Sequence, residues 1–228
     1  MVKAFSIFLV SAVTLLGATS LGAPAEPSGK EEILAVVHRM VSVFEKMEDF
    51  TCETEVTYYE GGIEDQQWRV KFFFKKGKKF RVDFSHPFKG MSVFYKGGDE
   101  ELTVRPLSFL PALKLRLSID NPLAKTPSGQ RIDQTDVAYF IRFIFENLKS
   151  VEQRENEFQD DGQRVQFLFW ALDYIEGEHL EKYRVFVSKK NWFPMRVERH
   201  NPQGDLVELI VFKNFVINAH LEDEHFLT

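Results

Sequence analysis

Apolar side chains recur at every second position along most of the chain, and this alternation is typical of β-strands that bury one face. The clearest stretches are residues 68–74 and 80–84, which a Lys-Gly-Lys turn separates. A register shift of one residue in the second stretch would bury Arg81 and Asp83, so these two charges are expected to face outward. The side chains expected on the inner face of that strand are Phe80, Val82 and Phe84.

The same alternation continues in short stretches that turn residues separate. These stretches are 52–58, 91–96, 101–105, 165–169, 183–187, 195–198 and 206–215. Because turns rather than long crossovers join them, they predict an antiparallel meander of roughly nine to eleven strands. So many hairpin-linked strands favour a strongly curled sheet or a partial barrel.

Two stretches have a helical period instead. Residues 29–48 carry apolar side chains at steps of three and four, and Ser28 with Glu31 forms a capping-box pattern before them. A second helix is expected to open at Asp133, with Asp136 placed favourably in its first turn. Two helices with an antiparallel sheet indicate the α+β class.

Residues 106–132 fit neither pattern. Four prolines interrupt the segment, yet it is rich in leucine. An ordinary solvated loop is polar, so two interpretations stay open. The segment either contains a short buried strand or folds as a mobile flap over an apolar surface.

The N-terminus has the organisation of a secretory signal peptide. Lys3 precedes an uncharged apolar run, and Ala23-Pro24-Ala25 has the form of a cleavage site. The sequence therefore predicts a signal peptide over 1–25 and one exported, periplasmic domain over 26–228. The alternative is an uncleaved N-terminal anchor. No cysteine follows the apolar run, so a bacterial lipoprotein anchor is not expected.

Composition excludes several function classes. The formal net charge of −5 is unfavourable for a protein that neutralises nucleic-acid phosphates. A single cysteine, Cys52, rules out an intramolecular disulfide framework and a multi-cysteine metal site. Aromatic residues reach 14%, with 23 Phe, which is far more than a disordered chain carries.

The sequence has none of the common catalytic or nucleotide-binding motifs, including G-x-S-x-G, the P-loop, G-x-G-x-x-G and H-E-x-x-H.

Cys52 is interpreted as a buried structural thiol rather than a nucleophile. His220 to His225 could supply metal ligands, but a solvated acidic tail is the simpler interpretation. A basic run could bind an acidic partner, although a solvated hairpin face explains it more simply. That run is Lys71, Lys75, Lys76, Lys78, Lys79 and Arg81.

Aromatic residues on the inner face of the sheet either fill a core or line a cavity. Phe on alternate strand positions usually belongs to a core, but a curled sheet with covering helices can also enclose a ligand site. Phe94 belongs to the same aromatic set. The residues predicted to line a ligand cavity are Trp68, Val70, Phe72, Phe74, Phe80, Val82, Phe84, Phe167 and Phe169.

The order of these elements over residues 30–227 resembles the periplasmic outer-membrane lipoprotein carrier (LolA-like) family. The resemblance rests on the early helix, on the F-x-C-x-x-x-V stretch at 50–56, on K-K-F-R-V at 78–82, and on the C-terminal part of the chain. There, F-P-M-R-V-E at 193–198 precedes a turn at 201–204, a strand, Asn214, Asn218 and a terminal E-H-F.

The resemblance implies an unclosed half-barrel that two or more helices cover. It implies a monomeric carrier for acylated lipoprotein or lipid cargo, with an inner-membrane donor and an outer-membrane acceptor as partners. It implies no cofactor and no reaction, and the chain is therefore expected not to be an enzyme. Two alternatives are a lipid- or lipoprotein-sensing interaction module on the same fold and an unrecognised hydrolase.

Overall fold

A computed structural model describes residues 29–98, 100–134, 137–153, 157–172 and 179–227. The predicted signal peptide, the capping residue Ser28 and Asp136, expected in the first turn of the second helix, lie outside these ranges. The bounds of domain 26–228 and the cleavage of residues 1–25 stay predictions. The class is α+β, as the sequence predicted: one unclosed antiparallel sheet of eleven strands with two α-helices in the described ranges.

The chain builds the sheet as two meanders that meet in the middle. After helix α1 (Gly29–Lys46), the first meander contains β1 to β6. Its strands are Asp49–Glu60, Ile63–Lys75, Lys79–His86, Ser92–Tyr95, Glu101–Arg105 and Leu115–Ser118. After helix α2 (Val137–Ser150), the second meander contains β7 to β11. Its strands are Phe158–Asp160, Arg164–Leu172, Leu180–Ser188, Pro194–His200 and Leu206–Ile217.

The first and last long strands join the two meanders. β1 pairs antiparallel with β11, from Phe50 opposite Ile217 to Tyr58 opposite Glu208. The strand order is therefore β6-β5-β4-β3-β2-β1-β11-β10-β9-β8-β7, with β6 and β7 at the two edges. Because β6 and β7 do not pair with each other, the curled sheet stays an open half-barrel with a concave face that can be covered.

The register confirms the predicted inner face of β3. Phe74 lies opposite Phe80 and Phe72 lies opposite Val82, so these side chains share the concave face. Arg81 lies on the other face, where its guanidinium binds the Asp83 carboxylate through two contacts of 2.8 Å. The inward side chains of β3 are buried, as the alternation requires: Phe80, Val82 and Phe84.

The helices pack on the concave face, and their observed bounds are shorter than the predicted ones. Helix α1 was expected over 29–48 and ends at Lys46; it buries Ile33, Val37 and Met40 completely. The second helix was expected from Asp133, but a 3-10 turn occupies Ile132–Gln134 and α2 is described from Val137. Helix α2 contacts α1 and β8.

Residues 106–132 contain a strand, but not the buried strand that one interpretation proposed. β6 is an edge strand that pairs with β5, and its Leu115 is 46% exposed. Around it the chain is irregular, with a 3-10 turn at Pro122–Ala124. The strand β7, of three residues, was not predicted, because so short a stretch does not show a period of two.

Candidate functional site

The concave face contains a cavity of about 390 Å³. Its floor consists of inward side chains from β1 to β6 and β9 to β11, and its roof of residues 123–134 and helix α2. We call residues 123–134 the strap, because they cross the open side of the half-barrel. No side chain of α1 lines the cavity.

The floor combines large rings, such as Trp68, Phe84 and Phe212, with shorter side chains. At several inward positions it has Val, Cys or Thr where the neighbouring region of the sheet has Phe, and there the side chains do not fill the space below the roof. The floor residues of this size are Cys52, Thr54, Val56, Val70, Val82, Val93 and Val104. The space is a consequence of their small volume, since interiors otherwise pack to the density of organic crystals.

The strap and α2 form the roof. Helix α2 directs Val137, Phe140 and Phe143 toward the floor. Tyr58 on β1 and Thr126 of the strap both line the cavity. Burial, the largest cause, raises the pKa of Tyr58 above its usual range, so the phenol stays neutral. Within the strap, Thr126 Oγ1 lies 2.9 Å from Ser128 Oγ and accepts a hydrogen bond from Gln130 N at 3.1 Å.

The mouth of the cavity is marked by lining residues that are also exposed. Phe88, Leu115 and Leu123 contact the cavity and have exposed fractions of 49%, 46% and 82%. Trp68 packs edge-on against Phe88, with ring centroids 6.0 Å apart. A ligand that enters here passes apolar surface before it reaches the interior.

Five of the nine predicted cavity residues line this cavity. They are Trp68, Val70, Phe72, Val82 and Phe84. Binding of a ligand by these residues stays a prediction.

The other four predicted residues are buried in the core and do not line the cavity. Phe74 and Phe80 lie at the end of the sheet that α1 covers, and Phe167 and Phe169 lie beneath α2 on β8. Phe94, from the same aromatic set, lies on the outer face, where Arg81 and Arg105 stack over its ring. Alternation identifies the inward face but not how far along the strand the empty space extends.

An aromatic cluster fills the end of the half-barrel beneath α1. Phe50 stacks on Phe74 at 5.1 Å and on Phe215 at 4.9 Å between ring centroids. Phe193 packs on Phe215 at 4.3 Å, and Phe44 of α1 contacts Phe74. The members of this aromatic cluster are Phe44, Phe50, Phe72, Phe74, Phe80, Tyr95, Phe193 and Phe215. Phe72 is its boundary with the cavity.

A buried ionic group lies beside the cavity, and sequence analysis missed it. Arg199 Nη1 lies 2.9 Å from Glu181 Oε1, and Arg199 Nε lies 3.1 Å from Glu208 Oε2. The Tyr183 hydroxyl donates to Glu181 at 3.0 Å. Tyr183 and Glu208 also line the cavity. The sequence does contain a signal for this group. Arg199 follows the inward-facing Val197 by two residues, so the strand period places its charge on the inner face.

Cys52 is a buried thiol, as predicted, and it also lines the cavity. Burial, the largest cause, raises the pKa of the Cys52 thiol to about 12. A thiol that stays protonated at neutral pH is a weak nucleophile. Its position indicates a wall residue rather than a reactive group.

The side chains of the acidic C-terminal segment, His220 and Glu222 to His225, are exposed, as expected of a solvated tail, but the segment also contacts the sheet. Asp223 lies 2.8 Å from Lys75 Nζ and 3.0 Å from Lys79 Nζ. The side chain of Phe226 is buried. The basic run thus meets carboxylates of the same chain, and Lys76 likewise pairs with Glu48 at 3.1 Å.

Within the described ranges, no helix is both long enough and apolar enough to cross a membrane. No family model matches this chain, and no curated protein does.

Several solved structures match. One is a putative outer membrane lipoprotein-sorting protein domain from Vibrio parahaemolyticus, with 16% identity, a TM-score of 0.44, and coverage of 87% of this chain and 97% of that one. Another is a LolA superfamily protein from Nitrosomonas europaea, with 12% identity, a TM-score of 0.40, and coverage of 86% and 97%. A third is lipoprotein LppX from Mycobacterium tuberculosis, with 9% identity, a TM-score of 0.46, and coverage of 84% and 98%.

Similarities at this level of identity and TM-score do not indicate what this chain binds. The likeness concerns the fold alone, and it agrees with the LolA-like resemblance of the sequence.

Proposed function

We propose that this protein is a carrier that binds acyl chains of lipoproteins or lipids in the cavity of its half-barrel. The observation that supports the proposal is an apolar cavity of about 390 Å³, walled mainly by Val, Leu and aromatic side chains. Its volume lies in the range of small-molecule sites, which are concave and mostly apolar. Its mouth is apolar as well, so an acyl chain can enter without passing a polar barrier.

The energetics suit a molecule that must bind and release. At about 0.8 kcal/mol per buried methylene, a long acyl chain offers roughly 10 kcal/mol of gross transfer free energy. Loss of translational freedom and ordering of the chain reduce this considerably. Arg131 of the strap pairs with Asp120 at 3.0 Å, and the Asp120 side chain is exposed, so this contact contributes little free energy. A roof held by contacts of this kind can open for release.

The chemistry of the wall favours binding over catalysis. The carboxylates of Glu181 and Glu208 are engaged by Arg199, and the Cys52 thiol stays protonated at neutral pH. Neither arrangement supplies an activated nucleophile with a free general base. We propose that the protein is not an enzyme.

The wider role is part of the same proposal and rests on the sequence resemblance. The chain is exported to the periplasm through its first 25 residues. As a monomer it receives acylated cargo from an inner-membrane donor and delivers it to an outer-membrane acceptor. N-terminal sequencing of the exported protein tests the first step, because retention of residues 1–25 contradicts it.

The test of binding combines native cargo with a matched pair of variants. Mass spectrometry of lipids that co-purify from the native host is expected to detect an acyl lipid. Titration with 11-(dansylamino)undecanoic acid is expected to show saturable fluorescence that V82F lowers at least about tenfold in affinity, since the added ring occupies the cavity. V216F is the control, because Val216 is exposed on β11 outside the cavity.

Equal affinities of V82F and the unchanged protein would contradict binding in this cavity. Absence of both a co-purifying lipid and probe binding would contradict the carrier proposal. Turnover of an ester probe would favour the hydrolase alternative instead.

A further inference from the structure

Exposed apolar side chains are concentrated around the mouth of the cavity. Of the eleven large apolar residues that are exposed in the described ranges, six lie between positions 88 and 123. We call them the mouth patch: Phe88, Phe109, Leu110, Leu113, Leu115 and Leu123. Phe109 is 74% exposed and Leu123 is 82% exposed. A concentration of this kind marks an interaction surface more often than scattered single residues do.

The mouth patch is held together by the fold. The turn between β3 and β4, which carries Phe88, meets the 106–114 loop where Gly90 faces Ser108: a Cβ on Gly90 would lie 3.1 Å from Ser108 Oγ. Within the loop, Leu110 N donates to Leu107 O at 3.2 Å, and Leu113 N donates to Leu110 O at 3.0 Å. Backbone hydrogen bonds therefore order the loop while its side chains stay in solvent.

Basic side chains accompany the mouth patch. Lys89, Lys114, Arg116 and Lys125 are exposed, and none forms an ion pair with another described residue. Residues 86–98 and 102–118 contain no Asp or Glu, whereas positions 99–101 between these ranges are Asp, Glu and Glu. Glu101 lies opposite Ser118, at the end of β5 away from Leu115. Beyond these ranges, Asp120 is held by Arg131 at 3.0 Å. This surface is locally positive on a chain whose formal net charge is −5.

We propose that the mouth patch docks on the surface of an anionic lipid bilayer. Exposed Phe and Leu side chains that enter the interface, with Lys and Arg at its edge, are the combination that binds anionic membranes. A symmetric dimer through the same patch would bring the four cations of each copy together, and like charges oppose that arrangement. The mouth of the cavity then faces the bilayer directly.

The inference goes beyond the proposed function and does not depend on occupancy of the cavity. The experiment measures co-sedimentation of the purified exported protein with sucrose-loaded vesicles. One set contains phosphatidylglycerol and phosphatidylethanolamine, and the other contains phosphatidylcholine alone. We expect clear partitioning to the anionic vesicles, weaker partitioning to the neutral ones, and a decrease as salt is added.

Two pairs of variants separate the apolar and the charged contributions. F109S combined with L110S is expected to lower the partition coefficient about tenfold or more on anionic vesicles. V216S, on β11 near the end of the strand that α1 covers, is expected to leave it unchanged. K114E combined with R116E is expected to lower it about 30-fold on anionic vesicles, whereas K190E leaves it unchanged. All these positions are exposed, and circular dichroism verifies that each variant is folded.

Several outcomes would overturn the inference. These are equal binding of both vesicle types, no binding of either, insensitivity to the mouth-patch variants, and self-association that F109S with L110S abolishes. V82F is expected to keep vesicle binding. Loss of fatty-acid binding with vesicle binding intact would therefore refute the proposed function and leave this inference standing.

Discussion

The aromatic cluster beneath α1 and the cavity beneath the strap lie on the same concave face, yet the first is filled and the second is empty. Along β2, Phe74 belongs to the cluster, Phe72 marks the boundary, and Val70 lines the cavity. Along β3, Phe80 belongs to the cluster, whereas Val82 lines the cavity. Along each of these two strands, the packed core thus gives way to open space within two residues.

Two structural differences separate these regions. Beneath α1, large rings stack on one another and contact the helix directly. Beneath the strap, smaller β-branched side chains lie between the rings, and the inward side chains leave open space below the roof. The comparison indicates that the two ends have different roles. The aromatic cluster stabilises the fold, and the other end can bind a ligand at little cost to stability.

The largest effect on stability is expected in the aromatic cluster. F50A removes a completely buried ring that contacts Phe72, Phe74, Phe193 and Phe215. We expect the free energy of unfolding to fall by about 3–5 kcal/mol, measured by urea denaturation. L123A is the control at the cavity mouth, where the side chain is 82% exposed and little should change. A similar fall in the free energy of unfolding for F50A and L123A would contradict this difference between the two ends.

Reactivity of Cys52 tests whether the cavity wall is dry. Because burial raises its pKa from 9.0 to about 12, the thiol is protonated at pH 8, and its thiolate fraction is about 1,000-fold lower than that of an ordinary thiol. We expect native alkylation by iodoacetamide to be slower by at least this factor than alkylation in urea. The rate should rise with pH up to about 12. Equal native and denatured rates would show that the wall is open to water.

Replacing Val with Phe on each side of the boundary between packed core and cavity gives a sharper test. V185F adds a ring at a fully buried core position that does not line the cavity, and we expect it to cost about 1–3 kcal/mol. V82F adds the same ring beside open space and should cost less than about 1 kcal/mol. Chemical denaturation of both variants measures the difference. A larger loss for V82F would show that the cavity is packed in solution.

The smallest effect is expected at the C-terminal contact with the β2–β3 hairpin. Hydrogen bonds from Lys75 and then Lys79 hold the pKa of Asp223 below its usual 3.8. A lowered folded-state pKa adds stability above the unfolded pKa, and this stability is lost as the pH falls through the folded pKa. D223N should therefore be slightly less stable at pH 7 and equal to the unchanged protein in strong acid.

The control for this contact is E224Q, whose carboxylate makes no ion pair with another described residue. Denaturation curves of both variants at pH 7 and in strong acid measure the contribution. An effect of D223N that does not change with pH would contradict an electrostatic origin.

Much of the fold could be predicted from the sequence, because its long strands are strongly periodic. The strands that contain 68–74 and 80–84 were predicted with the correct inner face. The edge strand β7 was missed, a strand such as β6 was only one of two open interpretations, and the contact of Asp223 with two lysines was not predicted. These points concern pairing with distant residues, which a local pattern does not contain.

The candidate site was predicted in part. Trp68, Val70, Phe72, Val82 and Phe84 line the cavity, whereas Phe167 and Phe169 lie in the core. Three of the five are aromatic, as predicted, but the sequence did not show that Val, Cys and Thr at neighbouring inward positions leave the space open. The ionic group of Arg199 was missed because charged residues were assumed to lie on the outer face.

The sequence by itself determined which face of each long strand is buried, because the backbone of a β-strand places successive side chains on opposite sides. Only the tertiary structure decided which inward side chains meet open space. That depends on the pairing of β1 with β11, which are separated by most of the chain, and on the position of the strap and α2 above the sheet. A cavity is the volume that remains between elements, and no single element encodes it.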